Sequence, residues 1–184
     1  MGPLCGIPRL SIGTGFGTGA ILTLMDRDLS QHRPNVGIML INSEGLVWLG
    51  RRAGSRPPLN WQFPQGGIDE GEALETAARR ELQEETGVTS AVVLGYTESW
   101  IAYDFPPELT GSKAARGWKG QKQKWFAMRF AGVDSEIKLD HHEEIEFDAW
   151  RWASLAEVPG LVVPFKQDAY ARLFSELGHL VVPI

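Results

Sequence analysis

One cysteine, Cys5, is all the thiol this chain has. It excludes an intrachain disulfide framework and any zinc site built on several cysteines, and it suits a reducing compartment. No apolar run approaches the roughly 20 residues that cross a membrane. Basic residues are in deficit: 18 Lys and Arg against 23 Asp and Glu leave a net charge of -5. The whole molecule is therefore no generic polyanion binder, and a nucleic-acid site has to come from local clustering. Internal repeats and a clear linker are also missing. What is present is 184 residues, 43% of them apolar, enough for the core of one domain.

Residues 1–32 read differently from the rest. GTGFGTG at 13–19 follows no convincing strand and does not spell a dinucleotide-binding fingerprint, so a flexible leader is expected. The AILTLM run is too short and too poorly flanked for a secretory signal. Met25 opens a natural-looking start, and residues 1–24 are expected to come from an upstream start or an added sequence. From about residue 33 the text is dense. NVGIMLI and GLVWLGRR flank an N-S-E-G turn and predict a hairpin. A helix is expected over 72–86, entered near Asp69 or Gly71 and closed by Gly87. TSAVVLGYTESWIAY predicts one or two strands, QKQKWFAMRFAG and EFDAWRWAS one each, and SLAEV one helical turn. FKQDAYARLFSEL predicts a final helix with Phe165, Ala169, Leu173 and Leu177 at helical spacing. The pattern is that of one α/β domain with helices packed on a mixed sheet.

The stretch RELQEETG, residues 80–87, sets the chemical question. Glu81, Glu84 and Glu85 stand three and four residues apart, where like charges repel by a few tenths of a kcal/mol per pair. At about 100° per residue, Leu74, Ala78 and Leu82 form the core stripe. Glu81 and Glu85 fall at its edge, Glu84 lies beyond them, and Thr76, Arg79 and Gln83 face water. Repulsion beside the core is poorly screened, and a divalent cation would resolve it. Hard cations such as Mg²⁺ take oxygen ligands and bind substrate phosphates, so a polyphosphate is the natural partner. A solvated acidic face is the plainer alternative. Gly66 and Gly67 upstream let the backbone approach a metal or phosphate closely.

Residues 66–88, GGIDEGEALETAARRELQEETGV, match the Nudix signature at its nine defined positions: Gly66, Glu72, Arg80, Glu81, Leu82, Glu84, Glu85, Gly87 and Val88. The chain thus resembles the Nudix hydrolases. RPNVGIMLIN, WQFPQGG, GQKQKWF, EFDAWRW and PFKQDAY extend the likeness over roughly residues 33–177, toward the branch of RNA 5′-pyrophosphohydrolases and dinucleoside polyphosphate hydrolases.

The resemblance implies an α/β/α sandwich with a mixed sheet over residues 33–184. It implies that Glu81, Glu84 and Glu85 hold Mg²⁺, with Mn²⁺ as a substitute, together with a backbone carbonyl near Gly66. Glu72 and Arg80 would support the loop and helix, with Arg80 counted among the catalytic residues beside Glu84 and Glu85. Glu146 would be a further ligand or the general base. Arg33 and Arg52 would contact 5′ phosphates, Phe165 would stack on a base with Lys166 nearby, and Tyr103 would border the site.

Between Thr110 and Met128 five basic residues stand without an acidic one: Lys113, Arg116, Lys119, Lys122 and Lys124, with Trp118 and Trp125 interleaved. Cations and rings in this mixture suit phosphates and bases, although a solvated loop before a strand explains the first three equally simply. Alternation puts Lys122 and Lys124 on one strand face, where the resemblance favours phosphate contact; Trp125 reads as core. Glu143 and Glu144 read as loop charges and His141 and His142 as surface residues. The expected activity is removal of pyrophosphate from 5′-triphosphorylated RNA, cleavage of dinucleoside polyphosphates, or both, in the cytoplasm and without DNA or membrane partners. A small-nucleotide sanitising pyrophosphatase and a non-catalytic RNA-binding Nudix module are the alternatives. The sequence names no protein activator.

Overall fold

A computed structural model describes residues 28–55, 58–110, 115–140 and 145–184. The glycine-rich leader stretch, Cys5, Met25, Lys113, His141, His142, Glu143 and Glu144 lie outside the described residues.

The sheet is built on two strands buried on both faces. β1 (His32–Ile41) runs parallel to β7 (Gly120–Phe130) with His32 opposite Gly120 and Ile41 opposite Arg129. Near-continuous apolar text is what a strand covered on both sides requires. Alternate residues then serve different cores. Met39 and Ile41 of β1 and Trp125 and Ala127 of β7 join one cluster, while Val36, Ile38, Leu40, Phe126 and Met128 join the other.

Each cluster is closed by one helix. α1 (Leu74–Thr86) contributes Ala77, Ala78 and Leu82 to the second cluster, and α2 (Gln167–Leu177) contributes Ala169, Tyr170, Leu173 and Leu177 to the first. The expected α/β/α sandwich on a mixed sheet is thus the observed architecture. Among the described residues no helix is long and apolar enough to cross a membrane.

The expected hairpin holds only at its base. β2 (Val47–Arg52) pairs with β1 at Ile41–Val47, across a turn in which the Asn42 side chain accepts the Leu46 N–H at 2.8 Å. The strands then part. β2 goes on to pair with β3 (Trp61–Gln62) and β8 (Phe147–Ala153), and β1 is left free for β4 (Gln65–Gly67). That parting puts Gly66 opposite Val36 at the centre of the sheet. TSAVVLGYTESWIAY forms two strands, β5 (Ala91–Tyr96) and β6 (Ile101–Asp104), laid end to end along β7.

Three helix boundaries differ from the sequence reading, the simplest being that α2 starts at Gln167, because Pro164–Lys166, with Phe165 among them, form a 3₁₀ turn ahead of it. α1 begins at Leu74, because Glu72 does not enter the helix: its carboxylate turns back to the Asp69 N–H at 3.0 Å and to Arg80. Its end is as expected, with Gly87 at φ 74° donating to the Gln83 carbonyl, a torsion glycine adopts without steric cost. In SLAEV the Glu157 carboxylate takes the Ser154 N–H and hydroxyl, which makes a turn of Ser154–Glu157 and delays the single 3₁₀ turn to Val158–Gly160.

Candidate active site

α1 delivers its glutamates as the spacing predicts. Thr76, Arg79 and Gln83 are exposed, Ala78 and Leu82 are buried, and Glu81 is 9% exposed at the edge of the stripe. Glu81 meets β4 there. A Cβ placed on Gly66 would lie 1.8 Å from the Glu81 carboxyl carbon, so glycine is what lets this carboxylate press against the β4 backbone. The next turn brings Glu85 to the same strand, where its Oε2 accepts the Gln65 N–H at 2.9 Å.

Burial makes these charges expensive. It raises the Glu81 pKa, against the partial relief that Arg80 supplies, and Glu84 adds repulsion. Glu85 is raised well above the ordinary value, first by burial; the Gln65 N–H opposes the shift, and the neighbouring charges of Glu146 and Glu81 reinforce it. Glu146 therefore belongs to the same electrostatic unit although it lies just ahead of β8. Its Oε1 is 3.4 Å from Arg52 Nε.

Arg80 is saturated by the protein. Its Nε and Nη2 donate to the two oxygens of Glu72 at 2.9 and 2.8 Å, Nη2 also reaches the Gly67 carbonyl at 2.8 Å, and Nη1 reaches Glu81 at 2.7 Å and Glu84 at 3.3 Å. The paired bonds hold Glu72 ionised, its pKa pulled down to about 2. A guanidinium occupied in this way positions the loop and the glutamates, the supporting role that the resemblance also implies for Arg80.

A second group of predicted residues gathers opposite the glutamates. Lys166, ahead of α2, is only 4% exposed. Its ammonium donates to Gln62 Oε1 at 3.0 Å and Gln65 Oε1 at 3.3 Å and stands 5.6 Å from the Tyr103 ring centre. Burial, helped by the positive charge of Arg52, pulls its pKa down to about 7, and Glu146 and Glu85 resist the shift. Tyr103 in turn meets the Phe165 ring at 5.8 Å. Arg33 approaches from β1: its Nη2 would lie 2.4 Å from a Cβ on Gly67, and its charge lowers the Glu81 pKa.

Lys122 and Lys124 do share a face, as alternation predicts, and that face is occupied by Trp100, whose ring centre is 5.5 and 5.8 Å from their ammonium groups. Lys124 is further tied to the Thr97 carbonyl at 3.1 Å. These contacts do not join them to the glutamates. Trp125 is fully buried, as read. The glutamines of WQFPQGG and GQKQKWF were not singled out as functional, yet Gln65 links Glu85, Lys166 and Gln123, whose Nε2 donates to it at 3.0 Å. Their signal was their place inside the very segments that carry the resemblance.

Among the described residues no three His, Cys, Asp or Glu side chains converge as a ready cation cage. The reason is visible: Glu81 and Glu84 turn to Arg80 and Glu85 to Gln65. The donor set nonetheless fits a hard divalent cation, since it is all oxygen, the charge of Glu84 raises the Glu81 pKa and those of Glu146 and Glu81 raise the Glu85 pKa, and Gly66 leaves the backbone bare beside Glu81.

Acidic groups crowded beside three cationic side chains suit the hydrolysis of phosphoanhydride bonds. Residues 31–173 match the NUDIX domain, and the chain belongs to that family, whose hydrolases generally use divalent metals. An RNA pyrophosphohydrolase of Caulobacter vibrioides (strain NA1000 / CB15N) is 64% identical over 153 residues, 83% of this chain and 89% of that protein. The RNA pyrophosphohydrolase of Agrobacterium fabrum is 46% identical over 170 residues, 86% of this chain and 98% of its own. A C. elegans Ap4A hydrolase in a binary complex shares the fold with a TM-score of 0.58 at 19% identity, covering 80% of this chain and 98% of that one.

Proposed function

We propose that this chain, with residues 33–184 as its Nudix domain after a leader, removes pyrophosphate from 5′-triphosphorylated RNA in the cytoplasm. The observation that carries the reading is that Arg33, Arg52 and Lys166 stand beside Glu81, Glu85 and Glu146, with the partly buried Phe165 ring against the buried Tyr103: an arrangement that suits a triphosphate followed by a base. Sequence identity to two RNA pyrophosphohydrolases supports it.

Glu81, Glu84, Glu85 and the Gly66 carbonyl would hold Mg²⁺, or Mn²⁺ in its place, with Glu146 beside them. When bound there, the ion supplies charge neutralisation of the phosphates and a more acidic water. The chain does the rest. Arg33 and Arg52 fix phosphate oxygens, and Lys166 donates to another. Phe165 holds the first base, backed by the buried Tyr103 ring. Glu146 accepts the proton of the attacking water, whose oxygen bonds to phosphorus as the anhydride P–O bond breaks. One water is consumed, and pyrophosphate and 5′-monophosphorylated RNA leave, without a covalent enzyme intermediate. In this scheme Lys122 and Lys124 reach a phosphate only after leaving Trp100.

Dinucleoside polyphosphates present the same anhydrides and a base for Phe165, which makes them the second substrate to test. A side-by-side assay in Mg²⁺ tests both, with 5′-triphosphorylated RNA in one tube and diadenosine tetraphosphate in the other. Faster pyrophosphate release from RNA is expected, and Glu84→Gln, Glu85→Gln together should abolish turnover. Faster cleavage of the dinucleotide would reverse the order of substrates, and full activity in the double variant would sink the assignment.

A further inference from the structure

Three strands end in register beside the phosphate-binding side of the site. β1 begins at His32, β7 begins at Gly120 and β6 ends at Asp104, and the three residues stand in one row, His32 opposite Gly120 and Gly120 opposite Asp104. Over that row the His32 Nε2 reaches across β7 and meets Asp104 Oδ1 at 2.8 Å. We propose that His32 and Asp104 are a clasp that fixes the placement of Arg33 relative to Tyr103, and so sets the span between the phosphates and the first base. This rests on the reading of Arg33 as a phosphate contact.

Packing alone does not call for a histidine here. The ring is 1% exposed, and its Nδ1 is buried without a hydrogen-bond partner among the described residues. An apolar side chain would fill the same volume and leave no nitrogen unsatisfied. What the imidazole adds is a directed bond: facing a carboxylate, Nε2 donates. The middle strand makes way for it. A Cβ on Gly120 would overlap the Tyr103 carbonyl oxygen, and it would lie 2.8 Å from Asp104 Cα and 3.0 Å from His32 Cδ2. Asp104 is steadied in turn by Lys119, whose ammonium is 3.2 Å from its other oxygen. Strand ends open more readily than strand centres, and the clasp closes three of them at once.

The next row inward is Arg33, Gln121 and Tyr103. The Tyr103 hydroxyl donates to Gln121 Oε1, and its buried ring backs Phe165 at 5.8 Å. Successive side chains of a strand point to opposite faces. The clasp therefore lies on one face of the sheet, while Arg33 and Tyr103, one residue away from it on either side of β7, lie on the other. It touches neither substrate nor the glutamates, which come from α1 and from the approach to β8. His32 and Asp104 are thus positioning residues: with the end row open, Arg33 and Tyr103 no longer share one fixed frame. Binding weakens, and the chemistry at phosphorus is left as it was, which is the signature of a raised KM at constant kcat.

The test is steady-state cleavage of 5′-triphosphorylated RNA in Mg²⁺ by His32→Phe, Asp104→Ala and the double variant, with His32→Gln and Arg33→Ala beside them and a urea midpoint for each preparation. His32→Phe and Asp104→Ala are each expected to raise KM about tenfold through the loosened placement, with kcat within about twofold of wild type. The double variant should be no worse than either single one, since both remove the same bond. Glutamine carries an amide nitrogen near the place of the imidazole Nε2, so His32→Gln should keep most of the wild-type KM. Asp104 is half-exposed, and its variant decides the matter should His32→Phe fail to fold. A lowered urea midpoint with KM unchanged in Asp104→Ala would reduce the pair to a structural one and overturn the clasp. Losses that add in the double variant, or a His32→Gln no better than His32→Phe, would overturn it too. Arg33→Ala separates the two readings. A KM raised there and unchanged in the clasp variants overturns the clasp alone; a wild-type KM in Arg33→Ala overturns the phosphate reading of Arg33, and the clasp with it.

Discussion

Gly66→Ala separates catalysis from stability. Gly66 lacks the positive φ that only glycine tolerates well, so alanine's own backbone fits β4. The conflict is with one side chain. The new Cβ would stand 1.8 Å from Glu81 Cδ and Oε2 and 2.2 Å from Oε1. Ordinary carbon contact begins near 3.5 Å, so the carboxylate has to withdraw by about 1.5 Å or more. It is the far end of a flexible side chain, and a rotamer some 30° off its minimum costs only about 0.5–1.5 kcal/mol. Its 2.7 Å bond to Arg80 is lost, but Arg80 keeps both oxygens of Glu72 and the Gly67 carbonyl. The sum is about 1–2 kcal/mol, or a Tm lower by about 2–8 °C in a chain of this size. Catalysis should suffer more, since a misplacement of about 1 Å can cost about a hundredfold in rate. Urea unfolding and pyrophosphate release measured on the same preparation decide the matter. A kcat within threefold of wild type, or a fold lost outright, would refute the argument.

Two further outcomes follow from buried charge. The Glu85 carboxyl has a folded pKa above its unfolded value of about 4.5, so it contributes stability below that pH, and the contribution is lost as pH rises through the folded value. With metal removed by chelator, Glu85→Gln should therefore be more stable than wild type at mildly alkaline pH, the gap closing toward pH 4.5; calorimetry showing the variant less stable there would contradict it. Lys166 has the opposite sign: its pKa of about 7 lies below the ordinary 10.5, so between those values the unfolded chain binds the extra proton and stability rises with pH. Lys166→Met should remove that rise from urea midpoints taken in chelator across this window, and parallel slopes in the two proteins would count against it.

The glutamate face of α1 was legible because its geometry is local: one helix, one period, three spacings. The parallel pairing of β1 with β7 was not, since their residues are far apart in sequence and no local period reports a partner. The same limit hid the glutamine network. Gln62, Gln65 and Gln123 look like ordinary strand polar residues until β3, β4, β7 and Lys166 are brought together. The setting of Arg80 was hidden for a related reason. Its place in the motif is fixed by spacing, but whether a guanidinium faces substrate or protein depends on Glu72, which turns back out of the expected helix and takes it in two bonds. Lys122 and Lys124 were put on the right kind of face, while Trp100, which covers it, sits on another strand's approach and gives no sign in their own segment.

The question raised by three neighbouring glutamates then has a physical answer. Their repulsion is divided among separate restraints: Arg80 takes Glu81 and Glu84, the Gln65 N–H takes Glu85, and Arg52 takes Glu146. None of these neutralises Glu85, and burial above all holds its carboxyl well above the ordinary value. Ionising a carboxyl in such a place costs the fold, and such costs survive where function needs them. A cation bound by deprotonated carboxylates must displace the proton that Glu85 prefers to keep. Affinity for the ion is therefore expected to strengthen with pH over the range in which Glu85 ionises, and in Glu85→Gln both the affinity and its dependence on pH should fall together. Titration of the chelator-treated protein with Mn²⁺ at several pH values measures this directly, and an affinity that is flat with pH in the wild type would mean that Glu85 is no ligand.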